Sequence, residues 1–282
     1  MKSSLRPFIF LLVVCLCAPL FAHAAQPVYE GPGWDTPEEA VLYYLEGLKE
    51  QDIGKMIGAY PVETTIDHFD LRAQLTRFRV YTMDMSPNLP NTSDLLRAIN
   101  VDARRHEIVQ SISHHMALLC LSGQDFFQPP VSFAQETIDE EVDVFVTALE
   151  DAFAAVDFGT LEVLLFVPPE VISETYASER HQENMQMRIA PTGADEMRSV
   201  VAFFIVDGRA CVLACDAIRY GDRWFMANPY GSIASLIGLP AYTQGLVVLS
   251  KEELVALWDE LGFAVQIPFS IDLYDLLKLL GE

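Results

Sequence analysis

Residues 196–228 read EMRSVVAFFIV-DG-RACVLACDAIRY-GD-RWFMAN, and this stretch decides the fold. Two dipeptides, Asp207-Gly208 and Gly221-Asp222, separate three apolar runs. Such dipeptides favour the tight turns of β-hairpins, because glycine and aspartate tolerate the backbone angles that these turns need. The sequence therefore predicts a three-stranded antiparallel meander. Its strands are 196–206, 209–220 and 223–228.

The two-residue turns also fix which side chains lie opposite each other and which share a face. In this register Arg219 lies opposite Trp224, where a cation–π contact would support the strand pair. One predicted face carries Val200, Ala202, Phe204, Cys211, Leu213, Cys215, Trp224 and Met226. The other carries Val201, Phe203, Ile205, Val212, Ala214, Ile218 and Phe225. Both sets are apolar, so we expect the sheet to be covered on both sides or to line a cavity.

The chain that precedes the meander is patterned for helices. Thr36, Pro37 and Glu39 predict the first start. Threonine can cap a helix, proline suits its first position, and glutamate can return the capping-box bond. Asp52 would cap a second, short helix that ends near Pro61.

Longer helical stretches follow. One covers about 69–81, and the next is capped by Ser93 and closed by Gly123. The predicted buried stripe of that long helix is Leu96, Ile99, Ile108, Val109, Ile112, Met116 and Leu119. Another helix keeps an apolar period of 3.6 residues. Its predicted buried side chains are Ile138, Val142, Phe145, Leu149, Phe153 and Val156.

Shorter signals complete the chain. A short apolar run at 161–167 is stopped by two prolines, and a polar, helical segment at 171–187 comes after it. An aliphatic stretch at 246–249 precedes a second capping box, formed by Ser250 and Glu253. That box would start a helix through Leu254, Leu257 and Leu261, and a last helix is predicted around 273–280.

These patterns together predict an α+β protein. A helical N-terminal layer, residues 26–135, is followed by an antiparallel β-meander with flanking helices, residues 136–282. The length of the chain suits one large domain or two small ones. We expect the two regions to pack together as one unit.

Residues 1–25 have the pattern of a secretory signal peptide. Lys2 and Arg6 precede an apolar run at 8–14, and the stretch closes on Ala22-His23-Ala24-Ala25. A basic start, a short apolar segment and small residues at a cleavage site are typical of exported proteins. We therefore expect cleavage near Ala24/Ala25 and a secreted or extracytoplasmic protein. We expect no membrane span in the mature chain, because no later segment is apolar over the required length.

The chain is strongly acidic, with a formal net charge of −22 at pH 7. Such a surface repels phosphate backbones, which excludes nucleic acid as an expected partner. Two readings of the charge remain open. It could attract divalent cations or basic partners, or it could simply keep an exported protein soluble.

Three cysteines remain once the signal peptide is removed: Cys120, Cys211 and Cys215. Four residues of extended chain span about 13 Å, so Cys211 and Cys215 cannot bridge each other. Two alternatives remain open. Either Cys120 pairs with one of the two strand cysteines, or all three are buried thiols that act as small apolar side chains.

Two stretches resemble the NTF2-like (SnoaL/cystatin-like) α+β superfamily. The first is TPEEAV at 36–41 with LEGLKEQDI at 45–53, which resembles the paired opening helices of such domains. The second is YGDRWF at 220–225, which resembles their closing hairpin. The chain also resembles uncharacterised exported bacterial proteins that share the Thr-Pro-Glu-Glu-Ala opening. The resemblance implies an α+β fold, and many domains of this superfamily bind ligands or partners without catalysis.

The sequence carries no recognised catalytic or metal-binding motif. No pair of histidines in the predicted helical layer has the spacing of a zinc-binding helix, and adjacent His114 and His115 would point about 100° apart. The nucleophile elbow, the phosphate-binding loop and the dinucleotide fingerprint are missing. We therefore expect no metal site, no cofactor and no assigned catalytic residue, with the histidines at the surface or at the edge of the core.

Asp216 is the single candidate site residue. The predicted register places it in mid-strand, on the apolar face that carries Val212, Ala214 and Ile218. Burial among apolar side chains raises the pKa of a carboxyl group, as a general base or a ligand anchor requires. The alternative is that Asp216 hydrogen-bonds a nearby helix end, or that this rim of the sheet is open to water.

Three hypotheses about function follow. The first is a non-catalytic exported α+β module that binds a small ligand, a peptide or an envelope partner. The second is an NTF2-like enzyme that uses Asp216 with Tyr220 or a helix-borne histidine, which requires a cavity reaching the carboxylate. The third is a structural component of a cell-surface assembly, which would expose an apolar patch.

Overall fold

The computed structural model describes residues 28–79, 89–121 and 138–250, together with 252, 253 and 256. It is an α+β protein, as predicted. The helices are α1 (Pro37–Glu50), α2 (Ile53–Gly58), α3 (Val62–Asp67), α4 (Leu71–Phe78), α5 (Asp94–Leu121), α6 (Ile138–Ala155), α7 (Pro169–Ile172), α8 (Glu179–Ile189) and α9 (Ser232–Leu236). The strands are β1 (Glu162–Val167), β2 (Glu196–Val206), β3 (Arg209–Tyr220), β4 (Arg223–Asn228) and β5 (Leu246–Leu249).

The predicted meander is confirmed in both its strands and its register. Strands β2, β3 and β4 pair antiparallel, with Val206 opposite Arg209 and Arg219 opposite Trp224. The Arg219 guanidinium carbon lies 5.8 Å from the centre of the Trp224 ring, so the predicted cation–π contact forms. The second turn, at Gly221, has the left-handed backbone that glycine adopts without strain, with φ 61°.

Two further strands enlarge the meander to five strands. Strand β1, formed by the short apolar run before the two prolines, pairs antiparallel with β2 at the edge of the sheet. Strand β5, formed by the aliphatic stretch, pairs with the first part of β3, while β4 pairs with its last part. The two strands therefore share one edge of β3, and β2 covers the other edge.

The two faces of the sheet are both covered, as their apolar patterns predict. On one face, side chains such as Phe204 and Leu213 pack against α1 and α5 in a cluster that includes Tyr44 and Ile112. On the other face, a second cluster lies under α8 and α9. It contains Met185, Ile189, Val201, Phe203, Val212, Ala214, Ile218 and Ile233. The first cluster joins residues of the helical region to residues of the sheet.

The predicted caps form at the starts of α1, α2 and α5. The Thr36 hydroxyl accepts a hydrogen bond from the Glu39 amide, and the Glu39 carboxylate accepts one from the Thr36 amide. These two bonds form the capping box of α1. The Asp52 side chain caps α2 by accepting a hydrogen bond from the Lys55 amide. Ser250 and Glu253 form the second predicted box. Helix α3 was not predicted, because it begins directly after Pro61, where the sequence predicts the end of a helix.

The predicted burial of α5 is partly wrong. Ile99 is 45% exposed, whereas His115, expected at the surface or the core edge, is only 1% exposed. The face of this 28-residue helix that meets the sheet includes Val101, Ile108, Ile112 and Leu119. Ile99 lies off this face, so its apolar side chain stays in solvent while a histidine takes a core position.

The predicted buried face of α6 is largely wrong as well, because of its six predicted side chains only Val156, directly after the helix, is buried. The structure describes every residue from Ile138 to Ala155, and none of them is buried. Leu149 packs only partly against the core, and Phe153 is exposed. An apolar helical period shows that a helix has an apolar face, but not that a neighbouring element of the structure covers it.

The cysteine alternatives are decided in favour of thiols. Cys120, Cys211 and Cys215 are all free and buried. Burial raises the pKa of each thiol, and that of Cys211 rises to about 12. Each therefore stays protonated and fills space in the core as a small apolar side chain.

Some predictions fall outside the described residues. These are the signal peptide at 1–25, the Gly123 helix end, the helix through Leu254, Leu257 and Leu261, and the last helix around 273–280. In the part of the chain that the structure describes, no helix has both the length and the apolarity needed to cross a bilayer.

Candidate functional site

Asp216 lies in the middle of the sheet, where its carboxylate is fully buried. Its neighbour on β2 is Ser199, which stands directly opposite in the register. The Ser199 hydroxyl donates a hydrogen bond to Asp216 Oδ1 at 2.7 Å. The predicted face is confirmed, and the carboxylate joins two central strands across it.

The same carboxylate holds the start of α9. The Ser232 amide donates to Asp216 Oδ1 at 2.8 Å, and the Ser232 hydroxyl donates to Oδ2 at 3.3 Å. Ser232 is the first residue of that helix. Gly231 permits the approach, because a Cβ at this position would lie only 2.6 Å from the carbonyl carbon of Cys215. Asp216 thus hydrogen-bonds a helix end, which is the structural alternative to a role as a general base or a ligand anchor.

Arg188, near the end of α8, supplies a positive charge. Its guanidinium donates to the Ser232 hydroxyl, and its second terminal nitrogen lies 3.6 Å from Asp216 Oδ2. Burial raises the pKa of Asp216, and the Ser199 hydrogen bond and the Arg188 charge only partly offset this effect. Oδ1 of Asp216 accepts two hydrogen bonds, and Oδ2 accepts one and faces the Arg188 charge, so both oxygens are engaged by the protein itself.

Two candidate partners for an Asp216 enzyme, Tyr220 and His115, are engaged elsewhere. The Tyr220 hydroxyl bonds the Thr65 hydroxyl at 3.2 Å and the Thr192 carbonyl at 3.0 Å. His115 lies in the cluster on the opposite face of the sheet. The structure therefore does not bring these groups to the Asp216 carboxylate.

Tyr176 and His181 stand on the Asp216 side. The sequence did not single out Tyr176, but His181 lies on α8 and is a helix-borne histidine of the kind that the enzyme hypothesis requires. The Ser199 amide donates to the Tyr176 hydroxyl at 2.7 Å. The Tyr176 and His181 rings lie 5.1 Å apart. Burial lowers the pKa of His181 while the Asp216 charge acts against this, and Nε2 of His181 has no hydrogen-bond partner among the described residues. This imidazole is therefore neutral at pH 7. It lies beside the group formed by Asp216, Ser199, Ser232 and Arg188, which we call the Asp216 cluster.

Part of this site could have been found from the sequence. The two-residue turn at Asp207-Gly208 sets a register in which Ser199 must face Asp216, so a hydroxyl was available to the carboxylate. Arg188, Tyr176 and His181 reach the site from α8 and from the segment before it. Only the tertiary fold places them there.

A cavity of about 600 Å³ opens beside this cluster, at the edge of the sheet. Ser199 belongs to both the Asp216 cluster and the cavity wall, and Tyr176, which accepts the Ser199 amide, also lines the cavity. The wall is completed by Pro37 and Glu38 of α1, residues 166–170 at the exit of β1, Ala177, Gln182 and Gln186 around α8, and residues 196–200 of β2.

The cavity exists because β1 is shorter than the strand it pairs with. Strand β1 stops at Val167, opposite Val201, where Pro168 and Pro169 turn the chain away from the sheet. Proline has no amide hydrogen and cannot continue a ladder of hydrogen bonds. Strand β2 continues to Glu196, so the part of its edge beyond β1 faces the cavity.

A second buried polar group lies on the opposite face. His115 Nδ1 is 2.7 Å from the Tyr44 hydroxyl, and its Nε2 is 2.9 Å from the Gln244 carbonyl oxygen. A carbonyl oxygen only accepts, so Nε2 carries the proton and Nδ1 accepts from Tyr44. Burial lowers the pKa of His115 to about 4. The imidazole is neutral at pH 7 and ties α1 and α5 to the chain before β5.

No metal site is visible in the described residues. No group of three or more His, Cys, Asp or Glu side chains there is arranged to hold an ion. Asp216 itself receives hydrogen bonds from the Ser199 hydroxyl and the Ser232 amide and faces the positive charge of Arg188.

Comparison with known proteins gives one weak structural likeness. No family model matches the sequence, and no curated protein matches it. Among solved structures, the chain is similar to a cystatin-like protein from Ruminococcus gnavus ATCC 29149, with a TM-score of 0.40 and 14% sequence identity. The match covers 77% of this chain and 45% of that one, so this chain spans less than half of that protein's length.

Proposed function

We propose that this protein is an exported, non-catalytic binding module, and that its ligand occupies the cavity beside β2. The observation that carries the proposal is the cavity itself. Its volume of about 600 Å³ lies within the range of roughly 300–1,000 Å³ that is typical of ligand pockets. Its exposed wall is mainly polar, with side chains such as Glu38 and Gln182 beside apolar ones such as Phe166, so it suits a ligand that forms hydrogen bonds or ion pairs.

The chemistry of Asp216 favours binding over catalysis. A general base must be free to take a proton from a substrate held within hydrogen-bond reach. Ser199, Ser232 and Arg188 already face both oxygens of this carboxylate. Ser199 and Tyr176 line the cavity and Asp216 does not, so a ligand in the cavity contacts these two residues and not the carboxylate.

The proposed export and the proposed NTF2-like relation rest on sequence. The basic and apolar pattern of residues 1–25 supports export. The two stretches that resemble the superfamily are neighbours in space: the Trp34 and Trp224 amides exchange hydrogen bonds of 3.0 and 2.8 Å with each other's carbonyl. This bridge ties the start of the opening helix to the closing hairpin, an arrangement consistent with the proposed relation.

The proposal is tested by asking whether the secreted protein has a ligand bound. Native mass spectrometry of the secreted protein should reveal a bound ligand. Gln186→Trp would project a large ring from an exposed position on the cavity wall and should abolish the bound mass. Asn184→Trp is the matched control, because it lies on the same exposed helix and outside the cavity wall. A ligand retained equally by both variants would place its site elsewhere.

A structural role in a surface assembly is a second candidate, favoured by α6. Val144 is 71% exposed and Phe153 is also exposed, so this helix presents apolar side chains to solvent. Exposed apolar patches often mark protein interfaces. Sedimentation of the whole chain at rising concentration should then show self-association that Val144→Glu removes. A monomer at all concentrations would remove self-assembly from consideration.

A further inference from the structure

We propose that the cavity takes an extended peptide with basic side chains, which adds to the sheet as a strand beside β2. This inference rests on the proposed binding function and names the class of ligand. It follows from three features: the free edge of β2, the direction of its backbone groups, and the charges on the cavity wall.

The free edge is the part of β2 that β1 does not reach. Strand β1 pairs with residues from Val201 to Ile205, while β2 extends on to Glu196. In the described part of the chain β2 pairs only with β1 and β3. Residues 196–200 therefore have a strand on one side and the cavity on the other. An edge of this kind is a template for another strand.

The backbone groups of this edge point into the cavity. The Ser199 amide leaves the sheet and donates to the Tyr176 hydroxyl, which lines the cavity. Backbone groups of a strand alternate in direction along its length. The amide and carbonyl of Met197, two residues away, therefore face the same side as those of Ser199. Because Tyr176 already accepts the Ser199 amide, the groups left for a peptide strand are the Ser199 carbonyl and the amide and carbonyl of Met197.

The walls of the cavity leave a slot in line with the sheet. Pro37 and Glu38 of α1 stand on one side, and Gln182 and Gln186 of α8 stand on the other. The two helices cover opposite faces of the sheet. An added strand would lie about 4.8 Å from β2, in the position that β1 leaves when it turns away at Pro168.

The charges on the wall select a basic partner. Glu196 is paired with Arg198 at 2.7 Å and with Arg219 at 3.1 Å, so its single negative charge is more than offset, and Arg198 also belongs to the wall. Among the described residues no cationic side chain lies within ion-pair distance of Glu38 or Glu170. These two wall carboxylates are exposed, and the chain as a whole carries a net charge of −22. Such a site attracts lysine or arginine side chains and repels acidic ones.

The first arm of the test uses the peptide backbone. A short synthetic peptide of alternating valine and lysine is titrated into the full-length protein by calorimetry, beside a valine–glutamate peptide of equal length. The basic peptide should bind and the acidic one should not. Methylating one set of alternate backbone amides should weaken binding more than tenfold, because those amides face β2. Methylating the other set, which faces away, should change affinity less than twofold.

The second arm uses the two wall carboxylates. Glu38→Gln and Glu170→Gln should each weaken the basic peptide about threefold, as expected for partly exposed ion pairs, and should reduce its dependence on salt. Glu162→Gln is the matched control, since this exposed glutamate lies at the far end of β1 and outside the cavity wall. Equal binding of both peptides, or equal effects of the two methylation patterns, overturns the inference.

The two proposals can fail separately. A small molecule that co-purifies with the protein and is lost in Gln186→Trp, together with no peptide binding, would keep the binding function and refute the peptide. If no ligand co-purifies and no peptide binds, both proposals are refuted. Peptide binding that Gln186→Trp leaves unchanged would refute the cavity as its site.

Discussion

The Ser199 hydroxyl donates to Asp216 Oδ1 at 2.7 Å and accepts the Ile233 amide at 3.2 Å. One side chain thereby joins two central strands to the first turn of α9. The same residue offers its own amide to Tyr176 at the cavity wall. The buried carboxylate and the proposed ligand site are therefore connected through a single serine.

Replacing Asp216 distinguishes its structural role from a catalytic one. Asp216→Asn keeps an oxygen that can accept from Ser199 and from the Ser232 amide, and it removes a buried charge. We expect a change below about 1 kcal/mol in the free energy of unfolding. Asp216→Ala leaves those donors unsatisfied and should cost about 2–4 kcal/mol.

Urea unfolding of the two Asp216 variants measures this difference. A turnover that Asp216→Asn abolished while the fold survived would replace the binding hypothesis with the enzyme. Equal stability of the asparagine and alanine variants would show that the hydrogen bonds to Asp216 contribute little.

Trp224 should be among the most costly side chains to truncate. It is buried, and the guanidinium carbons of Arg198 and Arg219 lie 5.5 and 5.8 Å from its ring. Trp224→Ala should lower the free energy of unfolding by about 3–5 kcal/mol, because it removes a large buried ring. Tyr242→Ala is the control, since Tyr242 is exposed and its loss should change stability by less than about 0.5 kcal/mol.

His115 should make the protein less stable in mild acid. Its pKa is about 4 in the folded chain, against a usual value near 6.5, so the unfolded chain binds more protons between these values. The stability that the neutral imidazole provides is present at pH 7 and is lost as the pH falls from about 6.5 towards 4. The full loss is of order 3 kcal/mol. Asp216 has the opposite effect on stability. Burial raises its pKa, so its contribution to the free energy of unfolding increases as the pH falls.

Comparing variants isolates the contribution of His115. Chemical unfolding at pH 7 and at pH 4.5 should show a smaller loss of stability in His115→Gln than in the unaltered protein. His114→Gln should retain the full loss, because His114 is exposed on the same helix. An unchanged pH dependence in His115→Gln would show that the buried imidazole is not responsible.

The sheet could be predicted from the sequence because its signals are local. Two turn dipeptides fix three strands and their register, and the register places Asp216 on its face and Ser199 opposite it. Strands β1 and β5 were visible only as apolar runs, because pairing at an edge depends on distant residues. The capping boxes at Thr36 and Ser250 were also visible, since their bonds span three residues.

The errors come from long-range packing. Ile99 and the apolar face of α6 were expected to be buried, but the helical period does not say which face meets the sheet. Conversely, His115 is buried because Tyr44 and the Gln244 carbonyl satisfy both of its nitrogens, and these partners are distant in sequence. The cavity could not be predicted from the sequence either, because it depends on where β1 separates from β2.

Hydrogen exchange along β2 tests the central claim most directly. Amide exchange is measured on the exported protein with its bound ligand and again after the ligand is removed by unfolding and refolding. Binding in the cavity predicts slower exchange at Met197 in the loaded protein, with no change at 223–228 on β4. Equal exchange at Met197 in the two states, or protection confined to β4, would contradict the proposed site.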